Sequence, residues 1–131
     1  MKTKTFLSAK LHRIRVTEAQ IDYVGSVSID GDFMERAGIE INERVDIVNL
    51  DNGERWTTYA IPAERGSRTM ALNGGGAYKG KIGDKLVVMT YVQSDEPITP
   101  VCVFFGEENV VLKVGTTEQH GTRHPDLEGR S

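Results

Sequence analysis

Residues 43–62 read ERVDIVNLDNGERWTTYAIP, and this stretch decides the class of fold. Two runs rich in β-branched and aromatic residues flank Asn52-Gly53. That pair is typical of a type I′ hairpin turn, because both central residues of the turn need a positive φ. We therefore predict a strand over Glu43–Leu50 and a returning strand over Glu54–Ile61, which Pro62 ends because proline cannot donate to a ladder.

The returning strand alternates between two kinds of side chain. Trp56, Thr58 and Ala60 fall on one face. Arg55, Thr57 and Tyr59 fall on the other, since successive side chains of a strand point to opposite sides. The polar face reads as an ordinary exposed surface, or as a site where an arginine binds a carboxylate and a tyrosine passes a proton.

Outward from this hairpin, the rest of the chain also reads mainly as short strands. They fall at 5–16, 27–29, 70–72, 85–92, 101–105 and 110–114. A short helix is predicted over Asp32–Ala37, with Asp30 as its N-cap and Gly38 as its stop. Thr17-Glu-Ala-Gln20 fits a capping box and predicts one further helical turn. Many short strands with few helices predict a small, mainly β barrel.

The first strand carries a change of face. Leu7, Ala9 and Leu11 share one side, whereas Ile14 and Val16 share the other. A β-bulge or a bend between the two sets would account for the switch.

Composition sets limits on the class of protein. The 131 residues suffice for one domain, and 38% apolar residues with 14 glycines are ordinary for a globular fold. Sixteen basic against 19 acidic residues give a net charge of −3, which disfavours a general nucleic-acid binder. The apolar runs are too short to span a membrane.

Two further features bear on the compartment. Lys10 interrupts the apolar start FLSA at once, so we do not read residues 1–15 as a signal peptide. Cys102 is the single cysteine, which excludes a disulfide framework within one chain and predicts a small core residue. We expect a soluble, cytoplasmic protein.

Common cofactor motifs are missing, and the remaining candidates are individually ambiguous. Neither GxxxxGK[ST] nor GxGxxG occurs. Asn73-Gly74-Gly75-Gly76 is a flexible loop or a backbone that approaches a ligand. His12 is part of a solvated strand face or a site residue, whereas His120 and His124 lie in a polar tail and are expected to be idle. Gly25-Ser26 is a tight turn or a strained peptide open to attack by the serine hydroxyl.

Taken together, these motifs resemble those of the pyruvoyl-dependent L-aspartate α-decarboxylases. The resemblance covers residues 5 to about 112, in family order and spacing. The matching blocks are Lys10-Leu-His-Arg13, Val16-Thr17, Tyr23-Val-Gly-Ser26, Ile29-Asp30, Asp32-Phe33, Ala37-Gly38-Ile39, Asn52-Gly53, Thr58-Tyr59-Ala60-Ile61, Ala63-Glu-Arg-Gly-Ser-Arg68, Leu72-Asn73-Gly74 and Gly83-Asp84.

The resemblance implies a six-stranded double-psi β-barrel that cuts itself between Gly25 and Ser26, giving chains 1–25 and 26–131. It implies that Ser26 becomes a pyruvoyl group, which forms a Schiff base with L-aspartate; no metal and no pyridoxal phosphate is needed. It also implies a homotetramer with sites between subunits, making β-alanine for pantothenate. Some relatives use a second protein to accelerate maturation.

The resemblance also assigns roles to single residues. Thr58 would support self-cleavage, with Tyr23 close by, and Tyr59 would donate the proton that replaces CO₂. The substrate would be held by a basic set and by a loop. These are Arg55, Lys10 and His12, with Asn73, Gly74, Gly75 and Gly76.

Three departures from the family pattern leave questions open. Val24 stands where some relatives have an acidic residue, Gly75 and Gly76 replace an alanine pair, and Val48 replaces a large aromatic. The alternatives are a barrel that binds without catalysis, and a decarboxylase of another dicarboxylic amino acid; an RNA-binding barrel is disfavoured by charge. We expect the enzyme domain over 1–114 and a mobile tail over 115–131.

Overall fold

The computed structural model describes residues 1–127, and they form one mainly β domain. Its strands, in chain order, are β1 (Lys4–Arg15), β2 (Glu18–Gln20), β3 (Ser26–Asp30), β4 (Arg44–Asn49), β5 (Arg55–Ala63), β6 (Met70–Asn73), β7 (Lys85–Ser94), β8 (Val101–Phe105) and β9 (Val111–Gly115). The helix α1 covers Gly31–Ala37, and short 3-10 turns cover Gly74–Tyr78, Glu107–Asn109 and Pro125–Leu127.

The strand order explains how nine strands make a six-stranded ring. Neighbours in the sheet run β2-β6-β3-β5-β4-β7-β1-β8-β9. Because β2 continues the chain of β1 after only Val16 and Thr17, the two ends of the run β2 to β1 are joined covalently, and the sheet closes. Counted as one strand, β1 and β2 form a ring with β6, β3, β5, β4 and β7, while β8 and β9 extend the sheet beyond β1. The mainly β fold predicted from the sequence is confirmed.

A bulge lets the first strand contribute side chains to the core both before and after it. The pairing of β1 with β7 shifts register between His12 and Ile14, and Arg13 between them has φ 64°. Ala9 and Leu11 before the shift, and Ile14 after it, are all buried. The predicted change of face is therefore absorbed by the bulge, which turns both apolar sets inward.

The barrel interior is filled by aliphatic side chains, and α1 covers one side of it. Fully buried members include Leu11, Ile14, Val27, Ile29, Val45, Ile47, Met70, Leu72, Leu86 and Val88. Phe33 of α1 meets Phe105 of β8 edge to face, with ring centroids 4.8 Å apart. The predicted caps of α1 are confirmed: Asp30 accepts a hydrogen bond from the Asp32 amide, and Gly38 has φ 78°.

Three local predictions are wrong. Thr17 starts no helical turn: residues 18–20 pair with β6 as a parallel strand, and the Thr17 amide and hydroxyl both bond the Met70 backbone. The 49–54 turn is not type I′, since Gly53 has a positive φ and Asn52 does not. Pro62 does not end β5, because β4 stops opposite Tyr59 and leaves Pro62 paired with β3 alone.

The C-terminal segment has defined contacts that its polar sequence did not predict. Residues 116–127 contact β1 and β8 at three points: the Cys102 thiol donates to the Thr116 carbonyl, Lys10 pairs with Glu118, and His124, which is 3% exposed, contacts His12 and the Phe105 carbonyl. The rest of the predicted tail, residues 128–131, lies outside the described residues. Within residues 1–127 no helix is both long enough and apolar enough to span a membrane.

Asp30, at the end of β3, forms hydrogen bonds with the start of α1 and with the loop before β6. Its carboxylate is 1% exposed and accepts hydrogen bonds from the backbone amides of Asp32, Gly66 and Arg68. Two of these bonds reach Oδ1 and one reaches Oδ2, so a single side chain joins β3, α1 and the loop before β6.

We predict that Asp30→Ala lowers the free energy of unfolding by about 3 kcal/mol, since it leaves buried amides without an acceptor. Asp30→Asn is the matched control, because one side-chain oxygen still accepts two of the three bonds. Urea unfolding at equal protein concentration measures both changes. Equal losses for the two variants would show that the accepted hydrogen bonds are not what matters.

Candidate functional site

Ser26, Asn73 and Tyr59 form a row across three neighbouring strands. Ser26 is paired with Asn73 in the antiparallel register of β3 and β6. Val27 is paired with Ala60 in the parallel register of β3 and β5, so Ser26 and Tyr59 lie side by side one residue earlier. Val27 and Ala60 point into the core, and alternation therefore turns Ser26 and Tyr59 to the outer face.

Asn73 fixes the hydroxyl of Ser26. Its amide nitrogen donates to Ser26 Oγ at 3.0 Å and to Ser28 Oγ at 2.8 Å, which uses both of its hydrogens. Ser26 is 3% exposed and Asn73 is 4% exposed. The bond from Asn73 leaves the Ser26 O–H itself free to donate, so the oxygen is oriented and its proton can leave.

The glycine loop approaches the peptide before Ser26 very closely. A Cβ at Gly74 would lie 2.8 Å from Gly25 Cα and 3.0 Å from the Tyr23 carbonyl oxygen, and Gly74 has φ 66°. No side chain fits there. The glycine loop is thus in close backbone contact with Gly25 and with the Tyr23 carbonyl.

The other two loop glycines differ from Gly74. A Cβ at Gly75 would meet no atom within 4 Å, whereas one at Gly76 would lie 3.3 Å from Trp56 Nε1. That indole nitrogen is buried and has no hydrogen-bond partner among the described residues. An alanine therefore fits freely at 75 and only tightly at 76.

The outer face of β5 carries the predicted polar residues in the predicted alternation. Arg55, Thr57 and Tyr59 are exposed, while Trp56 and Thr58 are half-buried on the other side. Thr57 donates to Asp46 on β4 at 2.6 Å. Arg55 lines an open cavity of about 340 Å³ with Tyr91 of β7. Its Cα lies about 13 Å along the strand from that of Tyr59, at 3.3 Å per residue.

Lys10 and His12 are placed in a different neighbourhood from Ser26. They lie two residues apart on β1, beside Cys102 and Phe104 of β8. Lys10 Nζ contacts Glu118 at 3.3 Å, and His12 Nδ1 lies 2.8 Å from Nδ1 of His124. The structure therefore groups the predicted residues in two sets, one around Ser26 and one on β1 beneath the C-terminal segment.

His124 is the residue whose placement the sequence analysis missed. The sequence predicts an idle residue in a tail, yet His124 is buried and its Nε2 contacts the Phe105 carbonyl at 2.7 Å. Neither the residue type nor the local pattern predicts this burial, because the partners of His124 are Phe105 and His12, which lie 19 and 112 positions away in the sequence.

Burial keeps both of these rings neutral. It lowers the pKa of His12 to about 4, helped by the nearby charge of Lys10, and it lowers the pKa of His124 as well. A histidine whose pKa is lowered by folding binds a proton more readily in the unfolded chain. Stability is therefore present at neutral pH and declines as pH falls from about 6.5 towards 4.

The described residues contain no group of three or more histidine, cysteine, aspartate or glutamate side chains arranged to hold a metal ion. Cys102 is free, buried and held by the Thr116 carbonyl, and burial raises the pKa of its thiol. It is the core residue that the sequence predicts rather than a nucleophile.

Comparison with known proteins gives one consistent result. The family model described as aspartate decarboxylase matches residues 1–112. The chain is 46% identical over 112 residues to the aspartate 1-decarboxylase of Maricaulis maris, covering 82% of this chain and 93% of that protein. It is 44% identical over 118 residues to the enzyme of the same name from Caldicellulosiruptor saccharolyticus, with 87% and 92% covered. The corresponding protein of Clostridium kluyveri is 42% identical over 119 residues, with 88% and 94% covered.

We predict that Gly74→Ala lowers the free energy of unfolding by about 2 kcal/mol or more. The left-handed backbone alone costs a side chain about 1–2 kcal/mol, and the new Cβ would also displace Gly25. Gly75→Ala is the matched control and should change stability by less than about 0.5 kcal/mol. Denaturant unfolding of both variants tests the contact, and a tolerated Gly74→Ala would contradict it.

Proposed function

Because this chain belongs to the aspartate decarboxylase family, we propose that it removes the C1 carboxylate of L-aspartate as CO₂ and yields β-alanine, a precursor of pantothenate and coenzyme A. The observation that carries the proposal is the setting of Ser26, which is buried, held by Asn73 and preceded by a peptide that touches Gly74. We place the enzyme in the cytoplasm.

The first step of the proposal is self-cleavage between Gly25 and Ser26. Ser26 Oγ attacks the Gly25 carbonyl carbon, the peptide C–N bond breaks, and an ester forms. Loss of the Ser26 α-proton with the Gly25 carboxylate as leaving group breaks the Cβ–Oγ bond. Water then replaces the nitrogen at residue 26 and ammonia leaves, so a pyruvoyl group is built from Ser26. Thr58 lies one residue before Tyr59 on β5, and we assign it to this step, with Tyr23 as a supporting residue.

The residues around Ser26 fit such a group. Asn73 supplies an amide donor at the position, and Gly74 leaves no side chain between the loop and Gly25. When formed, the pyruvoyl group supplies an electron-accepting carbonyl for the loss of CO₂. Tyr59 lies beside Ser26 on the same outer face, and we assign its phenol O–H as the proton donor to the carbon that loses CO₂.

The substrate carries two carboxylates, which calls for fixed positive charge. Arg55 can bind one of them through two parallel hydrogen bonds, and Lys10 offers a second cation. Asn73 and the backbone of Gly74, Gly75 and Gly76 add hydrogen-bond donors near Ser26.

We infer that the working site is shared between subunits. Lys10 and His12 contact the C-terminal segment of their own chain, whereas Ser26 lies on another part of the ring. A homotetramer in which one subunit's basic residues approach a neighbour's Ser26 would bring the two sets together. A partner protein that speeds maturation is compatible with the exposed Val24 next to the cleaved peptide.

We expect Ser26→Ala to remain one chain of 131 residues and to lack decarboxylase activity, because the attacking oxygen is gone. The unsubstituted protein should give fragments of 25 and 106 residues, the larger without a free N-terminal amine. Intact-mass spectrometry distinguishes these products. Ser28→Ala is the matched control, since it removes the other hydroxyl bound by Asn73 and should still cleave. A Ser26→Ala protein that turns over aspartate would overturn the proposal.

Tyr59→Phe should mature normally but decarboxylate aspartate about 10²- to 10⁴-fold more slowly, the usual contribution of a general acid. Initial rates per cleaved site, together with mass analysis, separate the two effects. Tyr78→Phe, at an exposed tyrosine outside the row, serves as the control. A normal kcat for Tyr59→Phe would assign the proton to another group.

Glu118 competes with the substrate for Lys10 in this scheme. Glu118→Gln should lower KM for aspartate by up to about fivefold, as expected for a half-exposed ion pair worth less than about 1 kcal/mol. Glu107→Gln removes a similar charge from an exposed turn and should leave KM unchanged. Steady-state kinetics at low and physiological salt would test this, and identical KM values for all three proteins would show that Glu118 does not compete with the substrate.

A further inference from the structure

His124 lies beyond the residues that the family model matches and is held at both ring nitrogens. Nε2 is 2.7 Å from the Phe105 carbonyl oxygen, and Nδ1 is 2.8 Å from Nδ1 of His12. The ring is buried, and that of Phe104 lies 5.6 Å from His12 and 5.8 Å from His124, centroid to centroid.

The Phe105 carbonyl determines which ring nitrogens of His124 and His12 carry a hydrogen. A carbonyl oxygen only accepts hydrogen bonds, and this one also accepts from the Arg15 guanidinium at 2.9 Å. Nε2 of His124 must therefore carry a hydrogen. A neutral imidazole has only one N–H, so Nδ1 of His124 is an acceptor. The hydrogen in the short contact between the two Nδ1 atoms then belongs to His12, and Nε2 of His12 keeps its lone pair.

The charges around the pair favour neutral rings on balance. Burial is the main cause of the lowered pKa of each ring, and the cations Lys10, Arg13 and Arg15 of β1 act in the same direction. Asp126 opposes them, with its carboxylate 3.7 Å from His124 Nε2. A second proton on either ring is therefore disfavoured near pH 7.

Nε2 of His12 is not fully buried, although the residue is only partly exposed. It makes no hydrogen bond within residues 1–127, and it is not among the buried atoms that lack a partner. Lys10 lies two residues away on the same side of the strand, about 7 Å along it. The outer face of β1 therefore offers a cation that only donates, next to a nitrogen that only accepts. This pairing matches the carboxylate and the ammonium of a zwitterionic amino acid.

We propose that His124 is a positioning residue that holds His12 in the Nδ1–H tautomer, so that His12 Nε2 accepts a hydrogen bond from the substrate ammonium while Lys10 binds a carboxylate. The part that concerns the substrate rests on the proposed function, whereas the tautomer of His12 does not. In the opposite tautomer, His12 would donate from Nε2 and attract a carboxylate instead.

The tautomer can be read directly by long-range ¹H–¹⁵N NMR of the histidine rings. The Ser26→Ala protein gives a single uncut chain for this measurement, and three histidines keep the spectrum simple. We expect a protonated Nδ1 and an unprotonated Nε2 for His12 near pH 7. A protonated Nε2 on His12 would overturn the proposal without any variant at position 124.

Two substitutions at position 124 separate the two contacts of His124. One contact is the hydrogen bond that Nδ1 accepts from His12, and the other is the bond from Nε2 to the Phe105 carbonyl. In His124→Asn the side-chain oxygen takes the place of Nδ1 and can still accept from His12. In His124→Gln the amide nitrogen takes the place of Nε2, and the acceptor is lost. We expect the Asn variant to keep the Nδ1–H signature of His12 and the Gln variant to lose it.

The kinetics should follow the same division. In mature protein, His124→Gln should raise KM for aspartate roughly two- to tenfold with kcat per cleaved site little changed, as expected for the loss of one hydrogen bond. His124→Asn should stay close to the unsubstituted protein. Equal losses in both variants would mean that His124 only supports the fold. Absence of aspartate turnover in the unsubstituted protein would refute the proposed function, while the NMR result would still decide the role of His124.

Discussion

The barrel depends on a single constraint: one continuous stretch of chain, β1 followed by β2, must pair with both of the strands that it joins, β7 and β6. β1 pairs with β7, and its continuation β2 pairs with β6, so the sheet can close only if the strand turns between them. The bulge at Arg13 meets this need because it bends the strand and redirects its side chains. In the closed ring β6 lies between β2 and β3, which places Asn73 beside Ser26.

The same strand determines how the candidate site is divided. Before the bulge, Lys10 and His12 face β8 and the C-terminal segment, while the row of Asn73, Ser26 and Tyr59 lies on strands elsewhere in the ring. The proposed self-cleavage at Ser26 would use an oriented hydroxyl and a close backbone contact at Gly25, and one chain provides both. The proposed substrate has two carboxylates, and of the two proposed cations Arg55 lies on β5 with Tyr59, whereas Lys10 lies on β1. The proposed site shared between subunits would reconcile these two requirements.

Sequence patterns predicted the elements whose causes are local. The caps of α1 at Asp30 and Gly38 follow from hydrogen bonds within a few residues, and the alternation in β5 follows from strand geometry. The failures have distant causes. Thr17 fits a capping box, but its backbone and hydroxyl bond Met70 of a distant strand instead. Pro62 is tolerated within β5 because β4 ends before it. No short-range pattern could reveal that His124 returns to His12, 112 positions earlier. The residues of the candidate site came from motifs, yet their separation into two sets became visible only in three dimensions.

The placement of β1 also bears on what holds the protein together after the proposed cut. Residues 1–25 would become a separate peptide, but ten of the positions in β1 pair with β7, and four pair with β8 on the other side. His124 and Glu118, from the C-terminal part of the other fragment, contact His12 and Lys10 of the same strand. The cleaved protein would thus be a barrel complemented by its own excised strand. Such a peptide can leave or exchange only when the barrel opens, so its exchange rate would report the global unfolding of the fold.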